Sequence, residues 1–286
     1  MLAILLTSVA YHSAKPLGCR PAASHHRAAV RLLTEQEDRV SQAMELKPVS
    51  DESARASGLA LQLDDGTRKS HSVAENTAFV TGFFRGIATK AGFAQLVASL
   101  YFVYAAMEQA FDETTDPRVK ALDYPQLRRV PALEEDMAYY FGDDWRSAVK
   151  PTAATQLYVE RVQEVAASSP TLLVAHMYTR YLGDLFGGQM MGGMARRSLS
   201  LDEGRGTAFY AFDDIPEAKP FIERWYQELN TLDLDDAQKA AIVDEGNLVF
   251  GLNIGVFDEL EGSPVKALWT LASDALRRAL GMGKGE

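Results

Sequence analysis

The residue types best suited to chemistry in this 286-residue chain are two histidines and three glycines. Of the five histidines, His12, His25 and His26 lie in an acid-free N-terminal stretch, which leaves His71 and His176 for a folded site. His71 sits in Asp65-Gly66-Thr67-Arg68-Lys69-Ser70-His71-Ser72-Val73-Ala74-Glu75-Asn76, which reads as an early helix. Glu75, four residues on, shares its face and can orient the imidazole directly or through water. A lone helical histidine is more often structural than ligating. His176 opens His176-Met177-Tyr178-Thr179-Arg180-Tyr181-Leu182-Gly183-Asp184-Leu185-Phe186-Gly187-Gly188-Gln189, whose apolar and aromatic residues recur at helical spacing after the breaker Ser169-Pro170. Each glycine inside it costs roughly 1 kcal/mol against alanine. Gly183 and Gly187, four apart, strip side chains from one face. A helix accepts that cost where something large and flat must lie against its backbone. Arg180 and Asp184 alone would be an exposed i,i+4 ion pair worth a few tenths of a kcal/mol. Beside the glycines they suggest more.

Several chemistries are excluded. No Glu-x-x-His pair occurs, which removes a di-iron carboxylate bundle, and no His-Glu-x-x-His, which removes a zincin site. The one cysteine, Cys19, lies in the N-terminal stretch, away from any core site. It also speaks against a thiaminase-like enzyme, which needs a core cysteine nucleophile. If the body holds a metal, one histidine plus a porphyrin is the economical arrangement. The net charge is −10; residues 1–34 hold four basic residues and no acid, leaving −14 on 35–286. So acidic a body argues against nucleic acid as partner.

Helical segments recur at about 66–90, 92–115, 131–140, 152–168, 171–199, 216–230, 235–261 and 264–280. Prolines at 117, 125, 131, 151, 170, 216 and 264 separate them, and Asp235 is placed to cap the segment after it. The expected fold is all-α, a single compact multi-helix domain over 59–280. Residues 1–58 read as a targeting leader followed by a Ser-rich linker from about Lys47 to Gly58. The apolar run at 2–11 and the Arg-, Ala- and Ser-bearing stretch after it suit a plastid reached through the secretory pathway. No apolar run approaches the ~20 residues of a membrane span, and the C-terminus carries no hydrophobic tail, so no membrane anchor is expected.

The His176–Gln189 helix and the segment Thr67–Asn76 closely resemble the haem oxygenases. The resemblance continues through Ser99–Glu108, Leu133–Asp136, Tyr139–Gly142, Leu172–His176, Gly206–Tyr210, Leu252–Ile254 and Phe257–Leu260, in order and over about 60–262. It implies a plastid or algal type of enzyme that opens haem b, at once cofactor and substrate, with O2 and electrons from reduced ferredoxin. The products are biliverdin, carbon monoxide and ferrous iron, and biliverdin feeds bilin synthesis. It implies that His71 is the proximal iron ligand and that Gly183 and Gly187 let the distal helix approach the ring. Asp184 then holds an ordered water, with Arg180, Tyr104, Tyr158 and Asn253 completing its hydrogen-bond network. Arg68, Glu75, Tyr178, Thr179, Phe250 and Phe257 complete the haem surroundings, and Phe79 and Phe83 are further candidates for the ring edge. His176 is expected to be structural and partly exposed. The protein is expected to act as a monomer.

The chain also departs from that family. Basic positions that meet the haem propionates are Asp64, Ile222 and Tyr226 here; Arg68 keeps one charge, and Arg224 is offset by two residues. A usual serine is Phe186, and a usual Lys-Lys pair is Gly192-Gly193. Arg196, Arg197, Arg128 and Arg129 remain as a candidate basic patch for the reductant. These losses leave room for an alternative: a catalytically impaired haem-binding paralogue that regulates or buffers.

Overall fold

The computed structural model describes residues 53–77, 80, 89–199, 201 and 205–260. Among them there is no strand, and the all-α expectation holds. In chain order the helices are α1 (Gly58–Glu75), α2 (Lys90–Glu113), α3 (Pro117–Leu122), α4 (Val130–Phe141), α5 (Trp145–Ala148), α6 (Ala153–Ser168), α7 (Leu173–Met177), α8 (Gln189–Ser198), α9 (Ala218–Thr231) and α10 (Asp236–Leu260). Between α7 and α8 the chain continues as two π-helical turns, Tyr178–Leu182 and Asp184–Gly188.

The starts follow the punctuation. The Thr89 hydroxyl accepts from Gly92 N–H at 3.0 Å, and the Asp235 carboxylate from Gln238 N–H at 2.8 Å. Each satisfies an N–H that the first helical turn leaves unpaired. Pro117 and Pro131 stand at the first turns of α3 and α4, where a missing N–H costs nothing. Two boundaries differ from expectation. The first helix begins at Gly58 and ends at Glu75, not 66 to 90. The expected linker ends earlier than Gly58: Ser53 Oγ and Ala54 N–H donate to the Glu223 carboxylate of α9 at 2.8 and 2.6 Å, and a 3-10 turn at Ala54–Ala56 follows. The short helices α3 and α5 lay below the length at which periodicity is readable. The expected segment at 264–280, with Phe79 and Phe83, falls outside the described residues.

Large side chains from every layer meet in one core, including Phe93, Tyr104 and Phe111 of α2, Tyr158 of α6, Tyr181 of the π turns and Trp225 of α9. Helices α2 and α10 are apolar enough over their length to span a bilayer, contrary to the sequence reading, but they supply much of this core. One contact matters most for the site. Helices α1 and α10 pack closely, each seating side chains of the other on a glycine: a Cβ on Gly66 would collide with Val243, and one on Gly246 would sit 3.1 Å from Thr67 Cγ2. Those two glycines fix the register that carries His71 to Phe250.

Candidate functional site

The segment 173–198 is the candidate site's upper wall. Its middle winds with i→i+5 hydrogen bonds, a geometry rare in helices and frequent at functional sites. Gly183, between the two π turns, keeps ordinary right-handed helical angles, φ −59 and ψ −47. A Cβ built on Gly183 or on Gly187 meets nothing within 4 Å. On the neighbouring face, Gly188 and Gly192 would place a Cβ 3.0 and 2.7 Å from Tyr210. So one side of the helix is bare and the other is pressed onto the 3-10 turn Ala208–Tyr210. The pressed side also explains Gly192: Tyr210 occupies the space a side chain there would need.

Asp184 stands at the edge of the bare strip. The Tyr104 hydroxyl of α2 donates to Asp184 Oδ2, and Arg180 Nη2 donates to the same oxygen at 3.0 Å. No described residue bonds Oδ1. Arg180 Nη1 donates to Asn253 Oδ1 at 2.8 Å, and Asn253 Nδ2 donates to the Val249 carbonyl at 2.9 Å. Arg180 is only 8% exposed, which rules out an ordinary surface ion pair. Removing one partner from such a buried pair costs about 3–5 kcal/mol. Burial raises the Asp184 carboxyl above its usual range, while Arg180 and Tyr104 oppose the rise. Burial and then the Asp184 charge push the Tyr104 hydroxyl well up, so it stays a proton donor. Burial works against the Arg180 charge, yet Asp184, Tyr104 and Tyr158 hold its pKa above normal. Tyr158 lies fully buried beside Arg180 and Asn253, at a cavity of about 10 Å³ that Phe257 also lines. That is room for about one water.

The lower wall is α1. His71 Nδ1 lies 3.4 Å from Glu75 Oε2, as their spacing suggested, and Nε2 has no partner among the described residues. The imidazole stands edge-on to Phe250, ring centres 5.4 Å apart. Phe250 and Asn253 are three residues apart on α10, so that helix is the rail joining His71 to the Arg180–Asp184 network. The two walls approach where Tyr178, five residues before Gly183, lies beside Thr67, four residues before His71. Past that contact lies the bare strip. Beside it, Thr179 Oγ1 and Arg180 Nε are buried without a hydrogen-bond partner. An open, side-chain-free face, a histidine with one free ring nitrogen and a paired buried carboxylate fit a flat iron porphyrin.

One expectation needs correcting. His176 is not partly exposed: it is fully buried, with Nε2 3.1 Å from Glu245 Oε1. Arg68 side chain is 61% exposed and engaged by Asp65 at 2.5 Å and Asp64 at 3.5 Å. Arg224 stacks over Phe221 and borders a groove with Pro216 and Pro220, while Tyr226 faces the α1 end. Of the expected basic patch, Arg128 and Arg129 are engaged inside the fold, while Arg196 and Arg197 remain exposed on α8. Arg128 pairs with Asp112 and Asp123, Arg129 is buried against the Ala211 carbonyl, and Arg196 donates to Thr207.

Three buried acids escaped the sequence reading. Glu245 takes both Arg161 and His176; Glu108 accepts from Arg129 N–H, Val130 N–H and the Tyr181 hydroxyl; Asp136 accepts from Ala208 and Phe209 N–H. An acid on the apolar face of a long helix was the available signal, at Glu108 and Glu245 especially.

A sequence profile described as Heme oxygenase matches residues 57–259. The chain belongs to the haem oxygenase family. It is 46% identical over 229 residues to heme oxygenase 1 of Synechocystis, covering 80% of this chain and 95% of that relative. It is 42% identical to the heme oxygenase of Porphyra purpurea, covering 77% of this chain and 94% of that one. Among solved structures, the Synechocystis heme oxygenase-1 crystal structure, in complex with heme, superposes with a TM-score of 0.70. Their identity is 46%, over 77% of this chain and all of that one.

Proposed function

We propose that this family member cleaves haem b with O2 and reducing equivalents to biliverdin, carbon monoxide and ferrous iron. The observation that carries the reading is the bare strip at Gly183 and Gly187, edged by Asp184 and adjoining the His71 wall. Haem, as substrate, supplies both the iron that activates dioxygen and the meso carbon that is oxidised. His71 holds the iron through Nε2, and Glu75 orients the ring from Nδ1. A neutral histidine donates less electron density to the iron than a thiolate, which disfavours early O–O cleavage. Gly183 and Gly187 let helix backbone approach the ring where a side chain would hold it off. Asp184, fixed at Oδ2 by Tyr104 and Arg180, keeps Oδ1 to hold one water over the ring. The carboxylate thereby positions a proton donor and is not itself the acid. Asn253 steadies Arg180 from behind, and Tyr158 lines the small cavity beside both. Ferredoxin is the proposed electron donor, and the protein is proposed to act as a monomer. The acid-free basic leader supports delivery to a plastid, where biliverdin feeds bilin synthesis.

The test is reconstitution with hemin, ferredoxin, its reductase and NADPH. Appearance of biliverdin absorbance and carbon monoxide is expected. Asp184→Ala should keep hemin but lose biliverdin formation; undiminished turnover would show that the carboxylate is dispensable. A stable Soret band without ring opening in the parent protein would favour the haem-binding paralogue instead, the reading that the acid at position 64 favours.

A further inference from the structure

Haem b carries two carboxylates on one edge of its ring, and so acidic a protein must still offer them a cation. Asp64 lies seven residues before His71 on α1, about 10 Å along the axis and back to nearly the same face. That reach is of the order separating the centre of a porphyrin from its edge carboxylates. An acid there has the wrong sign for the task. Arg55, from the 3-10 turn Ala54–Ala56, covers it and donates Nη2 to Asp64 Oδ1. The turn is held in place from α9: besides the two bonds to Glu223, Asn230 Nδ2 donates to the Ala54 carbonyl at 2.8 Å. Asp64 occupies one nitrogen of the guanidinium. Nε is buried and has no hydrogen-bond partner, and Tyr226 and Tyr178 lie within electrostatic reach. The other candidate cations are poorly placed. Arg68 is exposed and paired with Asp65, and Arg224 rests on Phe221.

We propose that Arg55 is the carboxylate-binding residue of the haem site, with Asp64 holding its guanidinium in position and Tyr178 and Tyr226 flanking the carboxylate. A guanidinium has five donors in one plane, so Asp64 and a substrate carboxylate share it without displacing each other. The assignment rests on the haem reading above and adds to it a residue that lies outside the helix bearing His71.

The test compares hemin with its dimethyl ester, which has the same iron and ring but no free carboxylate, by Soret titration of the full chain. Arg55→Gln should weaken hemin binding about 10-fold, the worth of one charge-assisted bond, and leave the ester within about 2-fold. Asp64→Asn, which removes a competing charge while keeping the shape, should tighten hemin at least about 2-fold and leave the ester alone. Circular dichroism confirms that each variant is folded; if Arg55→Gln is not, Asp64→Asn decides. The assignment is overturned if Arg55→Gln alters both porphyrins equally or neither, or if Asp64→Asn weakens hemin. A parent protein that gives no Soret band with either porphyrin overturns the haem reading itself, a distinguishable result.

Discussion

Substituting Gly183 by alanine separates the two things this helix does. In the protein alone, the new methyl meets nothing within 4 Å, and the backbone angles there suit any residue. Alanine is better than glycine in a helix interior by about 1 kcal/mol, so the apoprotein should gain stability of that order. Hemin should then lose affinity, because the methyl stands where the ring must lie. Overpacking a close contact costs about 1–3 kcal/mol, or roughly 5- to 150-fold in Kd. Gly192→Ala is the control on the same helix. Its methyl would lie 2.7 Å from Tyr210 Cβ, so it should destabilise the apoprotein by about 1–3 kcal/mol. Urea denaturation of the apoprotein and Soret titration with hemin read the two quantities independently. A Gly183→Ala protein that binds hemin like the parent, or whose apoprotein is less stable, would refute the idea that this strip is bare for the ring's sake.

Further outcomes follow from the buried charges. Glu245 titrates at about 2, because its bonds from His176 and Arg161 outweigh its burial. Its folded pKa is depressed, so it contributes stability above pH ~4.5 that is lost as pH falls toward 2, about 3 kcal/mol in all. Urea midpoints for Glu245→Gln between pH 6 and 2.5 should show a flatter acid limb; a slope equal to the parent's would contradict this. Asp136 is pushed up to about 6 by burial, against its two backbone bonds. The folded state then holds the extra proton between pH ~4 and ~6, so stability should fall as pH rises through that window and level off above it. Asp136→Asn should remove that fall, as followed by melting temperature. Asn253→Ala leaves Arg180 Nη1 unpaired in the interior and should cost about 1–3 kcal/mol in urea denaturation.

The sequence by itself determined the helical class, the helix starts near residue 152 and at Asp235, and the candidate pairing of His71 with Glu75. These are local matters: a cap, a proline or an i,i+4 spacing acts within one turn. Glycines at 183 and 187 also declared a bare face, since only backbone geometry was needed to see it. Tertiary structure decided the rest. Whether Arg180 met Asp184 in water or in a buried network depended on Tyr104 and Asn253, which lie 76 and 73 residues away from Arg180 along the chain. His176 became fully buried because Glu245 arrived from α10 to pair with it. Gly192 became obligatory because Tyr210 packed onto it. Arg55 looked like a linker residue until α9 anchored its turn beside Asp64. Burial and long-range charge pairing follow from which helices share a core, and no spacing along one helix encodes that.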